Sequence, residues 1–262
     1  MDRFNNNVNF RKMKKVLIIG DSCEDVFIYG TCDRLSPEAP VPVFKPTTNK
    51  ISGGMSMNVY ENLKALGIEV DIITNKDLPR KYRFIDEVSN QMILRVDEDD
   101  DIKQITLKVF ELIDFDKYDA VVVSDYNKGF LSEIDIDAIT VNHPLVFMDT
   151  KKKISEWAQG IEFIKINEKE AQENSEWLTK DYEGELVVTL GKKGARHWFN
   201  PIEIQNEHPV RDLSGAGDTF LAALVADYIK NNDIRKAIEF ANRCAAWVVT
   251  QKGVVAVDSE KI

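Results

Sequence analysis

Short apolar runs bounded by turn-forming residues recur along the chain at 16–19, 70–74, 120–123, 145–148, 163–166 and 186–190. Runs of this length predict strands buried on both faces of a parallel sheet. Between several of them the apolar positions shift to helical spacing, at 55–66, 102–113 and 168–178. Strands alternating with helices predict crossovers, hence an α/β fold with a mainly parallel sheet. Two stretches break the alternation: 39–45 is Pro-punctuated and extended, and 82–96 alternates like a strand without an intervening helix. Both are too short to carry a core, so they predict a small β flap over one edge of the main sheet.

After Gly191 the pattern predicts short antiparallel strands at 195–199 and 202–206, then two closing helices. The first, 216–230, places Phe220, Leu221, Leu224, Val225 and Tyr228 on one face; the second, 234–250, does the same with Ala237, Ile238, Ala241, Ala245 and Val248. No internal repeat or low-complexity segment interrupts this order. The organisation expected is a loose tail over 1–14 and one domain over 15–262, with lid segments near 30–50 and 80–98.

Composition narrows the classes. With 262 residues, 44% hydrophobic and 30% charged, the chain has enough apolar material for a sizeable core, which excludes a disordered or collagen-like protein. The net charge is −10, and basic residues concentrate only within 11–15 and 151–153, so a nucleic-acid footprint is absent. Cys23, Cys32 and Cys244 form no Cys-x-x-Cys pair and lie far in sequence from His143, His197 and His208, which argues against a zinc cluster. Sparse cysteines, no signal-like apolar core and no apolar run approaching membrane length lead to the expectation of a reduced, cytoplasmic, non-membrane protein.

The densest chemistry lies at Gly215-Ala216-Gly217-Asp218, directly before an amphipathic helix. Small residues at a helix start let an anion approach the free N–H groups, and the helix dipole adds to the attraction. Asp218 then stands where a bound phosphate would repel it. A carboxylate there either complements the helix dipole or accepts the proton of a hydroxyl attacking a γ-phosphate. Ser52-Gly53-Gly54-Met55-Ser56-Met57-Asn58 opens another helix, and Asn58 with Asp21 and Asp25 after the first strand suits polyol recognition, or helix capping and solvated loop acids.

Asn167 and Glu170 have the form of a capping box, or place Glu170, through water, near Mg²⁺ and phosphates. The turn from Thr189 through Gly191 to Gly194 suits a hairpin or a nucleotide lying on its backbone. Asp125 and Lys128 offer an acceptor and a cation that could hold a hydroxyl and a phosphate, or an exposed ion pair.

In order, these segments resemble the ribokinase-like (pfkB) carbohydrate kinases from Val16 to Val257, with Gly215 to Asp218 the most specific signature. Arg34-Leu35-Ser36-Pro37-Glu38-Ala39-Pro40-Val41-Pro42-Val43, Ser89-Asn90-Gln91, Leu94 to Asp97, Ser124 to Gly129 and Asp149-Thr150-Lys151 are similar to segments of the heptose-7-phosphate kinases. These form the kinase half of bifunctional ADP-heptose synthesis enzymes. The resemblance implies a three-layer α/β/α fold with a small β lid. It implies Asp218 as base, with Gly215, Ala216 and Gly217 as its anion hole. Asp21, Asp25, Gly53, Gly54 and Asn58 would line the sugar. Asn167 and Glu170 would meet nucleotide and metal, and Thr189, Gly191, Gly194 and Asn242 would border the nucleotide.

Departures from the pattern shape the expectation. A further helix and strand usual in the family between Asn75 and Tyr82 are absent, so the sheet is shortened by about one βα unit. Met55-Ser56-Met57 replaces small residues, Lys151-Lys152-Lys153 departs from Pro-Lys-Gly, and no nucleotidyltransferase domain is expected after Ile262. The expected function is an ATP- and Mg²⁺-dependent kinase acting on the anomeric hydroxyl of a heptose 7-phosphate, with closure of the flap excluding water. A homodimer through the lid is expected, and monovalent-cation dependence is left open. The alternatives are another sugar, sugar phosphate or nucleoside as acceptor, and a non-catalytic nucleotide- or sugar-binding module.

Overall fold

β1 (Lys15–Gly20) turns Val16 and Ile18 to one face and Leu17 and Ile19 to the other, and none of the four is more than 1% exposed. A strand apolar on both faces belongs inside a sheet with both faces covered. β1 pairs in parallel with β4 (Glu69–Thr74) on one side and β7 (Ala120–Asp125) on the other. From β7 the sheet continues in parallel through β8 (Val146–Thr150), β9 (Phe163–Asn167) and β10 (Glu185–Thr189). Antiparallel β11 (Ala195–His197) and β12 (Asn200–Ile202) complete the order β12-β11-β10-β9-β8-β7-β1-β4. All six apolar runs are therefore strands of one sheet. The computed structural model describes residues 13–98, 102–180, 182–204 and 209–262. Most of the expected tail, the end of the run expected at 202–206, and His208 lie outside them.

One face of the sheet carries α1 (Ser56–Ala65), α5 (Ala216–Asn231) and α6 (Ile234–Val248), packed on Val16, Ile18, Val122, Phe147 and Phe163. Every residue of α5 from Asp218 to Ala226 is buried, because this helix lies between the sheet, α1 and α6. The other face carries α2 (Glu133–Asn142), α3 (Glu168–Glu173) and α4 (Ser175–Lys180) over Leu17, Ile19, Val121, Val123 and Met148. The result is three layers. Among the described residues no helix is long and apolar enough to cross a membrane.

A second sheet has the order β3-β2-β5-β6, from β2 (Ser22–Leu35), β3 (Pro42–Met55), β5 (Arg80–Asp86) and β6 (Met92–Asp97). Its own apolar cluster is small, with Phe27, Ile85 and Val254 buried and Tyr29 packed against them. The chain enters β5 from β4 through residues 75–79 alone, and β4 ends the main sheet; the helix and strand that the resemblance implies there are absent.

Three local expectations change. Residues 102–113 do not form an α-helix: Ile102 and Ile105 donate their backbone N–H to Lys128 and Phe130 carbonyls, and a 3-10 turn, Leu107–Leu112, follows. Their apolar spacing still buries Ile102, Ile105 and Phe110, so the pattern marked the core while the backbone bonds went elsewhere. The helix expected at 168–178 breaks into α3 and α4 at Asn174, whose side chain accepts from Ile154 N and donates to the Glu170 carbonyl. The second hairpin strand starts earlier than expected, at Asn200, because the turn closes at Trp198, with φ 51°. β2 and α2 carry no clear sequence signal, since β2 mixes polar and apolar residues and α2 is polar and apolar all round.

Candidate active site

The carboxyl ends of β1, β7, β8, β9 and β10 lie along one edge of the main sheet, and the chain order reverses at β1, between β4 and β7. Crevices at such switch points are where open α/β sheets take ligands. Here the N-terminus of α5 enters that crevice and separates two cavities. One, of about 190 Å³, is lined by Thr189, Gly191, Gly194, Ala216, Gly217 and Asn242 together with apolar side chains. The other, of about 550 Å³, is lined by Asp25, Lys81, Arg83, Tyr126, Gly215 and Asp218 among others. The turn from Gly215 to Asp218 is their shared wall.

That turn needs glycine at its first position. Gly215 caps α5 with φ 79°, and a Cβ there would fall 2.5 Å from Asn58 Nδ2. The first-turn amides of Gly217 and Asp218 have no acceptor within the helix, which leaves them available to an anion. Behind Gly217 sits the ammonium of Lys165, 2.5 Å from Asp149 Oδ2, in an ion pair whose side chains are 4% and 5% exposed. Burial pushes the Asp149 carboxyl up, but Lys165 and Lys151 outweigh it and hold it below its ordinary value. The open amides at the start of α5 therefore have a fixed cation behind them.

Asp218 is 5% exposed, with both oxygens engaged. Tyr126 donates its hydroxyl to Oδ1 at 2.5 Å, and Asn58 donates Nδ2 to Oδ2 at 3.0 Å. Burial raises the pKa to about 6, against the lowering effect of those two hydrogen bonds; Asp149 adds to the rise and Lys165 opposes it. An acid so poised is ionised at neutral pH yet affine enough to take a proton. Asn58 is itself fixed: Asn62 donates to its carbonyl and its Oδ1, and Nδ2 also reaches the Gly215 carbonyl at 3.2 Å.

Of the other expected site residues, Asp25 lines the larger cavity and pairs with Arg83, whose guanidinium lies 5.1 Å over the Phe27 ring. Gly54 lets the chain pass Asp25, since a Cβ there would come within 2.5 Å of Asp25 Oδ2. Gly53 opens with Asn58 on a neighbouring cavity. Lys128 lines the larger cavity.

Two acids expected at the ligand are turned into the fold instead. Asp21, fully buried, accepts from the backbone N–H groups of Tyr126, Lys128 and Phe130, and so shapes the loop after β7 rather than reaching a sugar hydroxyl. Asp125 accepts from Thr150 Oγ1 at 2.5 Å and Lys152 Nζ at 2.8 Å, so its cation is Lys152 and not Lys128. Asn167 and Glu170 form the reciprocal capping box of α3, while Glu170 also meets Lys151 Nζ at 2.6 Å. Asn242 donates to the Ile202 carbonyl at 3.0 Å and borders the smaller cavity with Thr189, Gly191 and Gly194.

Sequence reasoning passed over Tyr126, Lys165 and the cations of β5. Lys81 and Arg83 stand two apart on β5 and so share a face, opposite Asp97 and Arg95 of β6. That alternation was visible; the site it faces was not.

Residues 136–261 match the profile of the pfkB family carbohydrate kinases. The Bifunctional protein HldE of Nitratiruptor sp. is 32% identical over 301 aligned positions, covering 95% of this chain and 64% of that protein. Residues 136–261 are a pfkB family domain. The HldE protein of Campylobacter jejuni strain RM1221 is 31% identical over 95% of the chain and 64% of its own length, so the chain spans less than two thirds of the length of these relatives. Solved structures share the fold at low identity. A ribokinase of Arabidopsis thaliana, complexed with ribose and ATP, superposes with a TM-score of 0.66 at 15% identity, over 93% of this chain and 95% of that one. Phosphofructokinase-2 of Escherichia coli, in complex with potassium, gives 0.69 at 13% identity, over 95% and 97%. The fold is ribokinase-like.

Proposed function

We propose that this pfkB chain transfers the γ-phosphoryl group of ATP to a hydroxyl of a phosphorylated sugar, with the anomeric hydroxyl of a heptose 7-phosphate as the first acceptor to test. The observation that carries the transfer is the shared wall: the Gly215–Asp218 turn offers amides to one cavity and a carboxylate to the other. A nucleotide in the smaller cavity would rest on the Gly191–Gly194 turn and Asn242, its phosphates directed at the α5 amides. The acceptor hydroxyl would donate to Asp218. As its oxygen bonds to phosphorus and the bond to the departing ADP breaks, Asp218 takes the proton. The amides of Gly217 and Asp218 and the charge of Lys165 offset the negative charge on the moving group.

Magnesium carried by the phosphates would supply further neutralisation, with Glu170 the carboxylate suited to meet it through water. Among the described residues no group of three His, Cys, Asp or Glu forms a metal cluster, so the phosphates and water would provide most ligands.

The phosphorylated acceptor rests on Lys81. This side chain lines the larger cavity and is 8% exposed, and no described carboxylate lies within ion-pair distance of it. Arg83 and Arg95, by contrast, are committed to Asp25 and Asp97. The cross-strand neighbour of Lys81, Asp97, is taken up by Arg95, so a phosphate on the acceptor would give the Lys81 ammonium an ion-pair partner of its own.

The test is a panel of heptose 7-phosphate, other sugar phosphates, free sugars and nucleosides, read by ADP release with ATP and Mg²⁺, with and without K⁺. Phosphorylated sugars should be preferred, and Lys81→Met should raise their KM about 10-fold or more, the size expected for a hydrogen bond to a charged group, while sparing free sugars. Equal use of free sugars with an unchanged KM would refute the acceptor assignment. Binding of both ligands without ADP formation would favour the non-catalytic reading.

Two further parts of the proposal concern assembly and place. On β6, Leu94 and Val96 share a face and are 53% and 43% exposed, an apolar pair suited to a homodimer through the small sheet. ATP as donor fits a cytoplasmic location.

A further inference from the structure

We propose that Tyr126 is the positioning residue of the Asp218 carboxylate, its phenol fixing Oδ1 so that the remaining lone pairs face the acceptor. This rests on the reading of Asp218 as the base. Tyr126 follows β7, and its ring and backbone are held from three directions. Its N–H donates to Asp21 Oδ2 at 2.7 Å, the Lys151 ammonium lies 5.6 Å from its ring centroid, and its hydroxyl reaches Asp218 Oδ1 at 2.5 Å. Asp21, which does not meet the cavity, thereby gains a role: it sets the loop that aims the phenol.

The arrangement has a chemical consequence. Burial and the neighbouring Asp218 push the phenol well above its ordinary pKa, so it stays protonated and can only donate to an ionised Asp218. A carboxylate has about four lone-pair sites. Tyr126 and Asn58 occupy one on each oxygen, leaving the others for a hydroxyl that enters the cavity lined by Asp25, Tyr126 and Asp218. Without the phenol the carboxylate is held by Asn58 alone and loses a donor that favours its charged form.

Other charges also face Asp218. Asp149 on β8 and Lys165 on β9 lie below it, and Cys23 on β2 is close enough to feel its charge. Across the cavity stand Asp25 and Arg83, paired with each other, and Lys128 and Lys151. Tyr126→Phe leaves every one of these in place, so a shift in the Asp218 titration between the two proteins reports the phenol alone.

The experiment measures the Asp218 titration directly, through the isotope-labelled carboxyl carbon assigned by its disappearance in Asp218→Asn, in the parent and in Tyr126→Phe. In parallel, the acid limb of kcat/KM is followed against pH. Tyr126→Phe should move both upward by about one to two pH units, the size of losing one hydrogen bond to a charged group, and should lower kcat more than it raises the acceptor KM. Tyr118→Phe is the control, since Tyr118 makes the same kind of bond to Asp71 on the surface, and it should leave both unmoved. An unshifted Asp218 titration in Tyr126→Phe, with the thermal unfolding transition intact, overturns the proposal whether or not the chain is a kinase. A shifted titration in a protein that transfers no phosphoryl group upholds the placement of Tyr126 and rejects the kinase reading.

Discussion

Asp218→Asn should disable the chain and stabilise it in the same stroke. The carboxylate is buried, and its pKa rises from 3.8 in the unfolded chain to about 6 in the fold. A group that binds its proton more tightly when folded stabilises the fold below the unfolded pKa and loses that contribution as pH rises to the folded value. The 3.8-to-6 rise corresponds to about 3 kcal/mol. Above about pH 6 the parent therefore carries the full cost of a buried anion, which an amide does not. Part of the gain is offset, because Tyr126 and Asn58 both donate to this carboxylate and an amide can accept from only one of them unless the phenol turns. Losing one such partner costs about 1–3 kcal/mol.

The expectation is that Asp218→Asn melts at or above the parent at pH 8, and that its advantage over the parent shrinks steadily as pH falls from about 6 towards 4. Turnover should fall by about 10²–10⁴-fold, the range for removing a general base. Thermal unfolding by calorimetry at pH 4.5, 6 and 8, beside ADP release at pH 8, reads both. A stability difference that does not vary with pH would refute the buried-anion account, and near-parental turnover would refute the base.

Lys165→Met removes the cation from a fully buried pair and leaves Asp149 with Lys151 at 3.4 Å as its remaining partner. A loss of about 3–5 kcal/mol is expected at neutral pH, shrinking in acid as the stranded carboxyl protonates; urea unfolding at pH 7.5 and 5 measures it, and a loss unchanged by pH contradicts it. Asn167→Ala removes the cap of α3 and should cost about 1 kcal/mol in urea unfolding. If Glu170 also serves the metal, the same variant should raise the KM for Mg-ATP; an unchanged KM would confine this pair to capping.

Much was legible along the chain because it is local. The apolar runs marked the six parallel strands of the main sheet, since strands of a covered parallel sheet read as near-continuous apolar runs. The small residues of Gly215 to Asp218 marked a helix start, which α5 makes at Ala216, and Asn167 with Glu170 declared their cap by spacing. Residues 102–113 show where such reading stops: their apolar positions were found, but their backbone bonds to Lys128 and Phe130 depend on a partner supplied only by folding.

The sequence by itself determined which residues could do chemistry; tertiary structure decided which of them meet. Asp21 and Asp25 are equivalent acids in a list of residues, yet one is saturated by three backbone N–H groups and the other opens on a cavity. Tyr126 acquires its place only because β7 lies beside β1 and α5 enters the crevice between the sheets, 92 positions along the chain. Hydrogen bonds and desolvation act through space over a few ångströms, so the pKa of Asp218, the company of Lys165 and the opening of Lys81 on the larger cavity are properties of the packed fold and have no signature in residue order.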